Sequence, residues 1–75
     1  KFYIQAGAFS EESNAEALIK KLDTLVYQQN IGSKIMQRSS LFSVLIGPYL
    51  TKEEAENASS FIAAETNLHT YIIKD

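Results

Sequence analysis

The chain has 75 residues, 45% of them apolar and 21% charged, with a formal net charge of −2 and no cysteine. That length points to one domain, residues 1–75, with a nearly continuous core, because a chain of this size buries only about 60% of its unfolded surface. The acidic balance argues against nucleic acid, which demands a clustered basic surface, and the missing cysteines exclude disulfides, thiolate catalysis and cysteine-ligated metals.

No apolar run reaches the about 18 residues that a membrane-spanning helix needs, so no direct membrane contact is expected of this segment. Strand-like sequence begins almost at residue 1, and the chain reads as a module of a larger protein. Phe2 to Ala8 alternates in the strand manner, with Phe2, Ile4 and Ala6 on one face and Tyr3, Gln5 and Gly7 on the other. Gly7 marks a bulge or a close approach at the strand end. Ser10 is the expected N-cap of a helix over 11–26, with Glu11 and Glu12 at the positive end of its dipole. Ala15, Leu18, Leu22 and Leu25 follow at helical spacing.

Residues 27–33 read as a junction, with Asn30 and Gly32 as turn formers. A short strand is predicted over Lys34 to Arg38 and a hairpin turn at Ser39-Ser40. A second clear strand runs from Phe42 to Gly47, placing Ser43 and Leu45 opposite in facing to Phe42, Val44 and Ile46. Pro48, lacking an amide hydrogen, should stop its ladder. Thr51-Lys52-Glu53-Glu54 is a capping-box pattern that starts a second helix, whose stripe is Ala55, Ala58, Phe61 and Ile62. Asn67 should end it, and His69 to Lys74 reads as a last strand.

The two halves, about 2–38 and 42–74, resemble each other at a constant offset: Gly7 falls on Gly47, Phe9 on Tyr49, Ala15 on Ala55 and Leu22 on Ile62. The order β-α-β-β-α-β predicts an α+β ferredoxin-like sandwich, a four-stranded antiparallel sheet with both helices on one face. The strands that precede the helices take the centre, and the other face has no helix to cover it.

Catalysis finds little support. His69 is the single histidine and has no cysteine or evident aspartate partner, and the acids open the two helices rather than converge. No phosphate-binding glycine motif occurs, and no metal or other cofactor is expected. The open face is the candidate site. Tyr3, Gln5, Ser43 and Leu45 should point there, with Ala8 beside them at the turn. An aromatic, an amide, a hydroxyl and an aliphatic together suit a flat ligand of alternating apolar and hydrogen-bonding patches, such as a sugar chain. A Gln amide rejects ligands that cannot pair with it, so Gln5 is the leading specificity residue; the competing reading is an ordinary solvated strand residue.

The motifs are similar to those of the SPOR domain, the sporulation-related repeat of bacterial cell-envelope proteins. Tyr3-Ile4-Gln5-Ala6-Gly7-Ala8-Phe9 resembles that family's Y-x-V-Q-x-G-[SA]-F opening, and Phe42 to Tyr49 resembles its Y-R-V-x-V-G-P-F signature. Asn14-Ala15 with Leu18 and Leu22, and the closing Tyr71-Ile72-Ile73, also match its pattern. The resemblance implies the same fold and a non-catalytic module that binds peptidoglycan glycan strands stripped of stem peptides, located in the periplasm or cell envelope and enriched at the division septum. It implies a glycan laid across the helix-free face, with Gln5 in the family's Gln position. Stem peptides would clash with a flat sheet, and removing them frees a lactyl carboxylate that Lys34 or Arg38 can meet; the plainer reading of both is solubilising charge. The parent protein is expected among amidases, membrane-anchored division proteins or rare-lipoprotein-A-type lytic transglycosylases.

Three positions depart from the pattern. Ala8 stands where Ser is frequent, Ser43 where Arg is common, and Asn30-Ile31-Gly32-Ser33 only approximates the usual step into the second strand. Two rival readings use the same face. One is a protein-interaction module built on Leu45, Tyr3 and Tyr71. The other is an RNA-recognition-like binder, which the acidic charge and the absence of stacking rings at Ser43 and Leu45 disfavour. Nothing in the pattern demands dimerisation, and a monomer is expected.

Overall fold

The computed structural model describes residues 1–26 and 31–74. Its elements run β1 (Phe2–Phe9), α1 (Glu12–Val26), β2 (Gly32–Arg38), β3 (Leu41–Tyr49), α2 (Lys52–Thr66) and β4 (Tyr71–Lys74). The strands form one antiparallel sheet in the order β2-β3-β1-β4, so the strands preceding the two helices lie at its centre. Ile4 and Ala6 of β1 and Val44 and Ile46 of β3 pack against Ala15 and Leu22 of α1 and Ala55, Ala58 and Ile62 of α2. Both helices therefore cover the same face. This is the α+β ferredoxin-like sandwich that the periodicity predicts.

Local chemistry sets most of the boundaries. Thr51 caps α2, its hydroxyl oxygen accepting from the Glu54 amide at 3.1 Å while the hydroxyl donates to the Glu54 carboxylate at 3.2 Å. Asn67 closes α2 in the left-handed conformation (φ 59°), its amide donating to the Ala63 carbonyl at 2.8 Å. At α1 the capping position belongs to Glu11 rather than Ser10. The Glu11 carbonyl accepts from Asn14 and Ala15 at 3.2 and 3.5 Å, because β1 extends one residue further, through Phe9, than the alternation predicts. Phe61 leaves the expected stripe and is 43% exposed. Ala55, Ala58 and Ile62 fill the inward face, and the residue before Ile62 points about 100° away from it around the helix.

The strands correct three further expectations. β2 begins at Gly32, and the Ser33 hydroxyl donates to the Asp23 carboxylate of α1 at 2.8 Å. Asn30, expected to turn the chain, lies outside the described residues. β4 begins at Tyr71 rather than His69. Pro48 does not stop the β3 ladder, which continues to Tyr49 opposite Phe2. Pro48 has no register partner in β1 or β2, so its missing amide hydrogen leaves no acceptor unserved.

Two irregularities between β1 and β3 shape the faces. Ile4 pairs with Ile46 and Phe2 with Tyr49, so Gly47 and Pro48 share the space opposite Tyr3. Further along, Gln5 pairs with Leu45 and Gly7 with Val44, leaving Ala6 unpaired. An extra residue reverses the alternation beyond it. Gly7 consequently turns toward the helices, not toward the open face with Tyr3 and Gln5. A Cβ there would lie 3.1 Å from Phe9 Cε2 and 3.2 Å from Leu18 Cδ2. Ala8 then returns to the open face opposite Ser43, and Phe9 packs on the core.

Candidate functional site

The pairings place ten side chains on the helix-free face. β1 contributes Tyr3, Gln5 and Ala8, and β3 contributes Ser43 and Leu45. Outside them, β4 sets Tyr71 beside Gln5 and Ile73 beside Tyr3, while β2 sets Lys34 beside Leu45 and Met36 beside Ser43. Arg38 ends the β2 row opposite Leu41. Every residue expected at the site therefore lies on one surface.

They do not share one role. Leu45 is 3% exposed and Ser43 8%, so both are floor rather than contact surface. Gln5 is half-buried between Leu45 on β3 and Tyr71 on β4. Tyr71 stands 64% exposed, a ring free for contact at the sheet edge. Ala8 is exposed beside Ser43 and adds no polar group where the family often carries a hydroxyl.

A groove of about 150 Å³ runs over the other end of this face. Its floor is apolar, made by Tyr3, Met36, Leu45 and Ile73, and its cations are Lys34, Arg38 and Lys74. The Lys34 ammonium sits 4.6 Å from the centre of the Tyr3 ring. At that distance a cation over an aromatic face is held by about 0.5–2 kcal/mol, so Lys34 covers the Tyr3 ring. Tyr3 is thus a base for Lys34, and its own face is not open for stacking. Met36, Ile73 and Lys74 are lining residues that the sequence reading missed. Continuing the period-2 row of Lys34 and Arg38 finds Met36, and the Tyr71 row finds Ile73. Lys74 belongs to the opposite parity, and no alternation would have found it.

A second, wider hollow of about 420 Å³ lies at the other side of the molecule, between Tyr49 and the Glu54, Asn57, Ala58 and Phe61 row of α2. The Tyr49 hydroxyl is buried without a hydrogen-bond partner among the described residues, and burial raises its pKa above the ordinary phenol value. His69 lies exposed in the connection before β4. Among the described residues no cluster of three His, Cys, Asp or Glu side chains can hold a metal, and no helix is long and apolar enough to cross a membrane.

A family model for the SPOR domain matches residues 1–74. The chain belongs to the SPOR domain family. A SPOR domain is a non-catalytic module, so the chemistry to be explained here is binding. No curated protein matches the sequence. Among solved structures, the fold is similar to the solution structure of the peptidoglycan binding domain of the B. subtilis cell wall lytic enzyme CwlC. The TM-score is 0.76 at 22% identity, covering 96% of this chain and 85% of that one. At that identity the likeness is one of fold.

Proposed function

We propose that this SPOR domain binds peptidoglycan on its helix-free sheet face, prefers glycan strands stripped of stem peptides, and so directs its parent protein to the division septum. The observation that carries the reading is the position of Gln5. Its amide stands on a central strand, half-buried, with an aliphatic floor on one side and the exposed Tyr71 ring on the other. A sugar offers this arrangement what it needs: hydroxyl and acetamido groups for the amide, and an apolar ring face for the tyrosine. Family membership and the CwlC domain, a peptidoglycan binder by its description, support the same ligand. Preference for stripped strands follows from shape, since a peptide branching from the sugar has to find room against a continuous four-stranded surface.

The test is sedimentation with purified sacculi, amidase-treated against untreated, for the native domain and Gln5→Ala. Enrichment of the native domain on treated sacculi, with about tenfold or greater loss in the variant and an unchanged melting curve, is expected. Equal binding by Gln5→Ala removes Gln5 from the site. Equal binding to both kinds of sacculi removes the preference for stripped strands.

A further inference from the structure

We infer that the groove over Tyr3 is a carboxylate-binding subsite, and that the domain selects glycan carrying free carboxylates rather than glycan merely lacking peptides. The inference rests on the glycan reading above and makes charge, not only shape, the discriminating quantity. Three of the seven cationic side chains of an acidic chain line this one groove, and none of the described residues lining it is acidic. They reach it from opposite edges of the sheet, Lys34 and Arg38 from β2 and Lys74 from β4. The floor between them is apolar, made by Tyr3, Met36, Leu45 and Ile73, so the cations are the groups there that an anion can meet.

Lys34 is also positioned in advance. Its ammonium rests on the Tyr3 ring, 4.6 Å from the centroid, so part of its rotational freedom is already spent before a ligand arrives. An ammonium over a ring face keeps its remaining hydrogens directed away from the ring, available to an acceptor. In glycan that still bears peptides, the lactyl group ends in a neutral amide; in stripped glycan it ends in a carboxylate. Only the second offers a charge-assisted hydrogen bond, about twice as strong as a neutral one. A groove that worked by steric exclusion alone would have no use for three cations.

The test compares soluble amidase-treated glycan strands with the same strands after their carboxylates have been reduced to alcohols, titrated calorimetrically against the native domain, Arg38→Gln and Lys74→Gln. Both positions are exposed, and circular dichroism checks that each variant stays folded. Carboxyl reduction is expected to weaken binding by about tenfold or more, and each variant to weaken binding of unreduced strands by about threefold to tenfold. The variants should bind reduced strands as the native domain does, because the group they would meet is gone. Binding of the unreduced strands should also fall as salt is raised. Equal affinity for reduced and unreduced strands overturns the carboxylate subsite while leaving glycan binding intact. Failure to bind either kind of strand overturns both readings.

Discussion

Replacing Gly47 by alanine tests whether the Gly47-Pro48 irregularity is what lets the sheet carry Tyr3 in its present place. Gly47 has φ +149°, a conformation that side-chain-bearing residues rarely adopt. A Cβ added there would stand 2.9 Å from Tyr3 Cδ1 and 3.0 Å from the Phe2 carbonyl oxygen. The ring can rotate away, but the carbonyl is backbone of a paired central strand and cannot. Holding alanine in this conformation costs about 1–3 kcal/mol, and relieving the second contact requires shifting β1 against β3. The combined loss should be about 2–4 kcal/mol, a large part of the about 4–11 kcal/mol available to a domain of this length. Urea unfolding followed by circular dichroism measures it; with a slope of about 1 kcal/mol/M, the midpoint should fall by about 2 M or more. Gly32→Ala is the control, since a Cβ there meets nothing within 4 Å, and its change should stay within about 0.5 kcal/mol. Gly7→Ala should fall between, because the atoms it meets belong to the Phe9 and Leu18 side chains, which can yield. If Gly47→Ala costs less than about 1 kcal/mol, or no more than Gly32→Ala, the account of this irregularity is wrong.

Two further substitutions probe caps and burial. Thr51→Ala removes the oxygen that serves the Glu54 amide and should lower stability by about 1 kcal/mol, read as a melting-temperature drop of about 4–8 °C, with Thr51→Ser recovering most of it. Tyr49→Phe removes a buried hydroxyl that has no partner among the described residues and should raise stability at neutral pH by about 1 kcal/mol; a loss would show that the hydroxyl is bonded in solution. The same change should matter more in alkali. Burial raises the Tyr49 pKa, so the folded state keeps a proton that the unfolded chain releases near the usual value of about 10. Stability should therefore decline as the pH rises past about 10, and Tyr49→Phe should flatten that decline in pH-dependent melts.

The elements were legible because local signals and tertiary demands agree. Thr51 with Glu54, Asn67, and the Ala15, Leu18, Leu22 and Leu25 spacing each have one structural reading, and each took it. The alternation of Val44 and Ile46 against Ser43 and Leu45 assigned the faces of β3 correctly for the same reason. What the sequence hid was the bookkeeping between strands. Gly7 did mark a bulge and a close approach, as expected of it. But a bulge is a property of two strands in register, so its own neighbours could not show that Ala6 would be the unpaired residue and the facing would reverse. Nor could Pro48 show that it would itself go unpaired within a continuing ladder. The Gly7 facing and the Pro48 stop failed together on that account. On the open face, Tyr3, Gln5, Ser43 and Leu45 were placed by parity and Ala8 only as their neighbour at the turn. The depth of Ser43 and Leu45 and the inclusion of Lys74 depend on how long side chains from both edges lie over the sheet.

The reversal at Ala6 explains why the helix-free face can be a binding face. Were the alternation of β1 unbroken, Gln5, Gly7 and Phe9 would line that side, and Ala8 would point into the core. With Ala6 as the extra residue, the aromatic goes inward to pack on the core, and glycine takes the position pressed against Leu18, where a side chain would crowd. The face keeps Gln5 and the small Ala8, and gains a flat stretch over Ser43. Over the end where Ala8 faces Ser43, bulk is thereby removed from the middle of the sheet and left at its edges, in Tyr71 on β4 and Met36 on β2. A low centre with raised edges accommodates an extended chain of rings better than a compact ligand, and it is the backbone irregularity, more than any single side chain, that produces this relief.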